Sequence, residues 1–129
     1  MHATHLLAIA AAGSVGAVTR HLLVLAVQAT WPGSSWAIAA VNLIGCFGFG
    51  VCFSIAAERW SGAVAAAVLV GFFGAFTTFS SFAFECHAQI TARQWGALLG
   101  NVLLQNVVGI AAMAAGIGLG RATVGPVGG

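Results

Sequence analysis

The 26 residues from Trp95 to Gly120 contain no Asp, Glu, Lys or Arg, and neither do the 22 from Trp36 to Ala57 or the 22 from Ala63 to Phe84. At about 1.5 Å per residue, a helix of such a run reaches about 33 Å, enough to cross a hydrocarbon core about 30 Å thick. Lipid offers no hydrogen-bond partner, so such runs must satisfy their backbone internally, as helices. A further run, Leu6 to Gln28, is interrupted only by Arg20 and His21. The expected architecture is therefore an all-α integral membrane protein with four transmembrane helices, over about 6–28, 36–57, 63–84 and 95–120, in a single domain of residues 1–129. With 60% hydrophobic and 5% charged residues, the chain has too few charges to cover a soluble domain. Four Arg against Glu58 and Glu85 are too few and too scattered for a nucleic-acid partner. Residues 6–18 have the apolar length of a secretory signal, but no Lys or Arg precedes them, so a retained span is expected there.

The third run is the unusual one. Between Gly71 and Glu85 it holds six of the nine phenylalanines, two Gly, two Thr and two Ser. Gly71 and Gly74 loosen a helix, and Thr77 and Thr78 are stiff at χ1 with hydroxyls that compete for the backbone. A helix broken within 74–78 is expected. Carbonyls freed at membrane depth need a partner, and a cation is a natural one. Phe79 and Phe82 stand three apart and share a helix face. Their positive ring edges can attract an anion without a full charge. The competing reading is an apolar helix whose Phe residues pack and whose hydroxyls bond to the preceding turn.

Polar residues elsewhere are sparse. Asn42 is the strongly polar residue of the second span, either an interhelical hydrogen-bonding residue or an amide donor beside an ion path. Arg20 either snorkels as an interfacial anchor or meets a partner. Asn101 and Gln105 share one face of the fourth span, with Asn106 about 100° further round. Gly13, Gly16 and the pairs Gly96/Gly100 and Gly116/Gly120 predict close helix contacts. Thr30–Ser35 is expected as a turn at Pro32-Gly33, Cys86–Arg93 as a loop, and Arg121–Gly129 as a frayed tail. Cys46, Cys52 and Cys86 lack metal or redox spacing and suit packing. His2 and His5 are possible but weak metal ligands at a terminus. No span carries paired carboxylates, an activated nucleophile or a phosphate-binding loop, so an enzyme is not expected.

Gly71, Phe72, Gly74, Thr77, Thr78, Phe79, Ser80, Phe82 and Glu85 resemble the signature of the Fluc (CrcB) fluoride channel family. Ala75 stands where the family has a second Gly, and Ser81 where it has Thr. Val41, Asn42, Gly45, Phe47 and Gly50 resemble the family's second-span motif, with Ile38 in place of a usual Thr. Gly13, Gly16 and Arg20 resemble its first span, and Asn106 and Gly109 its fourth. The resemblance implies a fluoride-selective channel that passively exports fluoride from the cytoplasm of a bacterial cell. It implies an anion path along Asn42, Phe79, Phe82, Ser80 and Ser81, with Arg20 and Glu85 as further site residues. It also implies a structural sodium ion held by the backbone carbonyls of Gly74 and Thr77 of two chains.

With the N-terminus inside, Arg59 and Arg121 lie on one side and Arg20 and Arg93 on the other, so the positive-inside rule has no bias to act on. That balance suits insertion in both orientations, and the family resemblance implies an antiparallel, dual-topology homodimer, or a heterodimer with a paralogue, surrounded by membrane lipid. Two alternatives stay open. The chain is a non-conducting structural subunit of a heterodimeric channel, as Ile38 and Ala75 would suit, or a small four-span multidrug transporter. The latter chemistry needs a buried carboxylate in the first span, and there is none.

Overall fold

The computed structural model describes residues 3–32 and 36–125. The described chain is helical almost throughout: α1 is Ala3–Thr30, α2 is Ala37–Arg59, α3 covers 62–76, α4 is Phe79–Thr91 and α5 is Trp95–Val124. Four helical stretches are long and apolar enough to cross a membrane, with α3 and α4 forming the third, Gly62–Thr91, bent near its middle. His2, Gly33 to Ser35 and the last four residues, on which the metal, turn and tail expectations partly rest, lie outside the described residues.

The helices run longer than the sequence suggested at two places, each for a physical reason. The helix expected to end at Phe84 continues to Thr91. Having restarted at Phe79, it needs its 13 residues, about 20 Å, to reach the far side. Hence the expected loop at 86–93 shrinks to a tight turn, in which Ala92 N–H donates to Ala88 O and Arg93 takes φ 56°. The tail expected from Arg121 is helical to Val124, and there Arg59 Nη2 donates to Val124 O across 3.5 Å.

Two stretches of π-helix widen the spans. Ala66–Phe72 lies within α3, and Phe73 N–H closes it by donating to Val68 O, five residues back. Leu104–Val108 lies within α5. Such turns cluster at functional sites, and the second carries Gln105 and Asn106.

Packing pairs the elements unequally. α1 lies along α3, with Gly16 set so close that a Cβ would meet the Phe72 carbonyl. α2 lies along the second half of α5, where Gly116 faces the Phe47 carbonyl and Gly120 the Val51 carbonyl and Ser54. The predicted close contact thus holds for Gly116 and Gly120. Among the described residues it does not hold for Gly96, whose Cβ would meet nothing within 4 Å, or for Gly100, which would reach only the Trp36 ring at 3.9 Å. The small core is Val41, Phe73 and Phe76, flanked by Leu23, Val24, Phe49, Cys52 and Phe72. Phe73 meets Phe72 and Phe49 edge-on at 5.1 and 5.8 Å between ring centroids. α4 differs from its neighbours. It packs on the start of α5 and only lightly on α2, leaving Phe79 78% and Phe84 73% exposed.

Candidate functional site at the helix break

The ladder of the third span stops at Thr77 and Thr78, both extended, with φ/ψ of −82°/155° and −147°/112°. Thr77 N–H still reaches Phe73 O at 3.1 Å. Among the described residues no backbone hydrogen bond joins α4 back to α3. Thr78 then acts as an N-cap. Its Oγ1 accepts from Ser81 N at 3.2 Å and donates to Ser81 Oγ at 3.1 Å, with Ser80 Oγ at 3.2 Å. Capping of this kind contributes about 1 kcal/mol.

A break at membrane depth must have its polar groups satisfied from outside the helix. Asn42 of α2 does this. Its Oδ1 accepts from Thr78 N at 2.8 Å and its Nδ2 donates to Thr78 O at 3.1 Å. The backbone donor fixes which end of the carboxamide is which. Asn42 gets this close because Gly45, one turn on, leaves room for the Thr77 methyl: a Cβ there would collide with Thr77 Cγ2. The diversion has a consequence one turn back. In an unbroken helix Thr78 N–H would close on the Gly74 carbonyl and Ser81 N–H on that of Thr77. Both donors are taken, by Asn42 Oδ1 and Thr78 Oγ1. Gly74 is exposed, and a Cβ on it would meet nothing within 4 Å.

The second N–H of Asn42 donates to Gln105 Oε1 at 2.6 Å. Gln105 Nε2 in turn donates to Asn101 Oδ1 at 2.8 Å, and Asn101 Nδ2 lies 3.5 Å from Gln89 Oε1 and 3.8 Å from Cys86 Sγ. Asn101 is 1% exposed and Gln89 6%. Glu85, one turn beyond Phe82, is half-buried, and its buried Oε2 has no hydrogen-bond partner among the described residues.

Beside the break lies a cavity of about 250 Å³, lined by Asn42, Gly45, Cys46, Phe49, Thr77, Thr78, Phe79, Phe82, Gln105, Asn106 and Met113. Phe79 and Phe82 do share a face, with ring centroids 5.6 Å apart and planes 56° from parallel. Of the residues expected at a site, Asn42, Thr77, Phe79 and Phe82 meet at this cavity. Ser80 and Ser81 sit beside it on the capped first turn of α4. Gly74, Glu85 and the half-buried Arg20 are not in its lining. Gln89, expected within a loop, and the reach of Gln105 across to Asn42 are not visible in the sequence. The i, i+4 spacing of Asn101 and Gln105 is the nearest signal the sequence carries. Among the described residues no group of three His, Cys, Asp or Glu could hold a metal ion.

Comparison with known proteins adds the family context. The family model described as CrcB-like protein, Camphor Resistance (CrcB), matches residues 7–117. The chain is 40% identical to the fluoride-specific ion channel FluC of Solidesulfovibrio magneticus, over 88% of this chain and 93% of the relative. Identity is 42% to that of Desulforapulum autotrophicum, over the same shares. It is 35% to that of Hahella chejuensis, over 94% of this chain and 98% of the relative.

Proposed function

The chain belongs to the CrcB-like protein family, and from that membership we propose that it is a fluoride channel, a multi-pass protein of a bacterial membrane that lets cytoplasmic fluoride leave passively. It is an ion channel and not an enzyme. The observation that carries this reading is the likeness to fluoride-specific channels along nearly the whole length of both chains.

The site suggests how the ion is handled. Fluoride is small and strongly hydrated, so its path must replace water yet bind weakly enough to release. In the single chain both Asn42 N–H groups already serve Thr78 O and Gln105 Oε1. An anion entering the cavity therefore competes for an N–H with a protein acceptor, of which Thr78 O at 3.1 Å is the more distant. Phe79 and Phe82 offer ring edges. Ser81 Oγ accepts from Thr78, which leaves its own proton to give, and Ser80 adds a second hydroxyl. A bore narrow enough to strip the ion of its water would exclude larger halides by size.

One chain leaves α4 scarcely covered and the cavity open on one side. A second, antiparallel copy would cover the exposed Phe79 and Phe84 rings, and the even split of Arg between the two sides supports insertion both ways. Two breaks meeting at the midplane would bring the released Gly74 and Thr77 carbonyls of each chain to one sodium ion. Hard cations take oxygen ligands, so the donor set fits. The ion would hold the two breaks together, while the residues of the chain provide the path.

The test is reconstitution of the purified chain alone into liposomes with a fluoride electrode outside. Rapid, fluoride-selective efflux is expected. Vesicles no leakier to fluoride than protein-free ones would instead support the non-conducting subunit, with Ile38 in the place of a hydroxyl.

A further inference from the structure

The four side-chain amides form a ladder that runs one way. Asn42 donates to Gln105, Gln105 to Asn101, and Asn101 towards Gln89. It draws on three different helices, α2, α5 and α4, and crosses from the break towards the turn at 92–94. Orientation passes along it from the backbone of Thr78, each amide fixing the next, because a carboxamide that flips would face donor to donor or acceptor to acceptor. Chains of this kind polarise one another and are costly to leave half-satisfied. The 2.6 Å contact is the shortest of the set.

We propose that Gln105 is a positioning residue of the channel. Its Oε1 holds the Asn42 carboxamide in the place where it pairs with both Thr78 N–H and Thr78 O, and its Nε2 anchors that hold through Asn101 to Gln89. Gln105 thereby sets the shape of the break and of the cavity wall without itself having to touch the ion. The π-helical turn Leu104–Val108 aids this, since its wider loop carries Gln105 towards α2 while Asn101 stays on the face towards α4. Asn106, next in sequence, stays out of the ladder: its Nδ2 donates to Val102 O within its own helix.

The role in conduction rests on the fluoride-channel reading, but the ladder itself can be tested without it. Two variants separate shape from hydrogen bonding. Gln105→Met keeps length and removes the amide. Gln105→Glu, measured at a pH low enough to protonate it, keeps an acceptor for Asn42 and an O–H to give Asn101. Hydrogen exchange at the Thr78 amide is followed by ¹⁵N–¹H NMR of the protein in micelles, alongside fluoride efflux from liposomes. In Gln105→Met the Thr78 amide is expected to exchange at least about tenfold faster, the equivalent of about 1.4 kcal/mol, with amides of α1 unchanged. In Gln105→Glu, Thr78 stays within about twofold of the parent, as the retained acceptor requires. Fluoride efflux falls in Gln105→Met while the protein still elutes as its native assembly. Unchanged Thr78 exchange in Gln105→Met overturns the proposal. So does equal acceleration across α1, which would mean general loosening, or acceleration in Gln105→Glu equal to that in Gln105→Met. A parent chain that carries no fluoride, with the exchange results as expected, sinks the channel reading and leaves the ladder standing.

Discussion

Phe82 faces the cavity one turn from the break, its ring centroid 5.6 Å from that of Phe79. A ring offers an anion its positive edge, which an aliphatic side chain of similar bulk does not. Phe82→Ile is therefore expected to reduce fluoride efflux to the level of protein-free liposomes while the protein elutes unchanged on size exclusion. Efflux at the parent rate would remove the ring-edge role. Asn42 answers to a different test. Asn42→Leu leaves both the N–H and the C=O of buried Thr78 without the partners they have now. An unsatisfied buried group costs about 1–3 kcal/mol, so a lower melting temperature in detergent is expected as well as lost conduction. A variant that melts with the parent would show that Thr78 finds other partners. The sequence singled out Asn42 as polar in an apolar helix and left open whether it joined helices or faced an ion. Only the spatial neighbours show that it staples the broken strand of backbone.

At the scale of elements, α2 and α5 are held by backbone approach rather than by bulk. A Cβ on Gly116 would collide with the Phe47 carbonyl, whereas one on Gly118 would meet nothing within 4 Å. Gly116→Val is expected to destabilise the protein by about 1–3 kcal/mol through forced separation. Gly118→Val, facing outwards two residues on, should stay within about 0.5 kcal/mol. Thermal melts of both in the same detergent check the pair, and equal losses would refute the argument from approach. The spacing of Gly116 and Gly120 made this seam legible. The same spacing at Gly96 and Gly100 meets no such approach among the described residues, because a small residue permits contact but cannot say whether a neighbour is there. The break was legible too, since Gly74, Thr77 and Thr78 disfavour a continuous helix at one place. The length of α4 was not. Hydropathy falls at Glu85 and His87, but a helix restarted at the midplane must continue through them to reach the far side.

At the scale of the whole molecule, the weak packing of α4 and the exposure of Phe79 and Phe84 call for a covering surface. If a second antiparallel copy supplies it around a shared sodium ion, replacing sodium by a bulky organic cation should raise the monomer fraction in dilute detergent. Equal dissociation in both salts would remove the case for the ion. Tags on the C-terminus should label from both faces of intact cells, and labelling from one face alone would exclude insertion in both orientations.

Four crossings, the place of the break and the residues flanking it were determined by the sequence alone, because hydropathy, run length and local backbone preference act along the chain and need no neighbour. Which groups satisfy the broken backbone was decided only in three dimensions. Asn42 and Thr78 are 36 residues apart, and Asn42 and Gln105 are 63 apart. Hydrogen bonds that short depend on how closely Gly45 lets the third span lie against α2 and on where a widened turn of α5 points its amide, and neither is written in any single stretch of the chain.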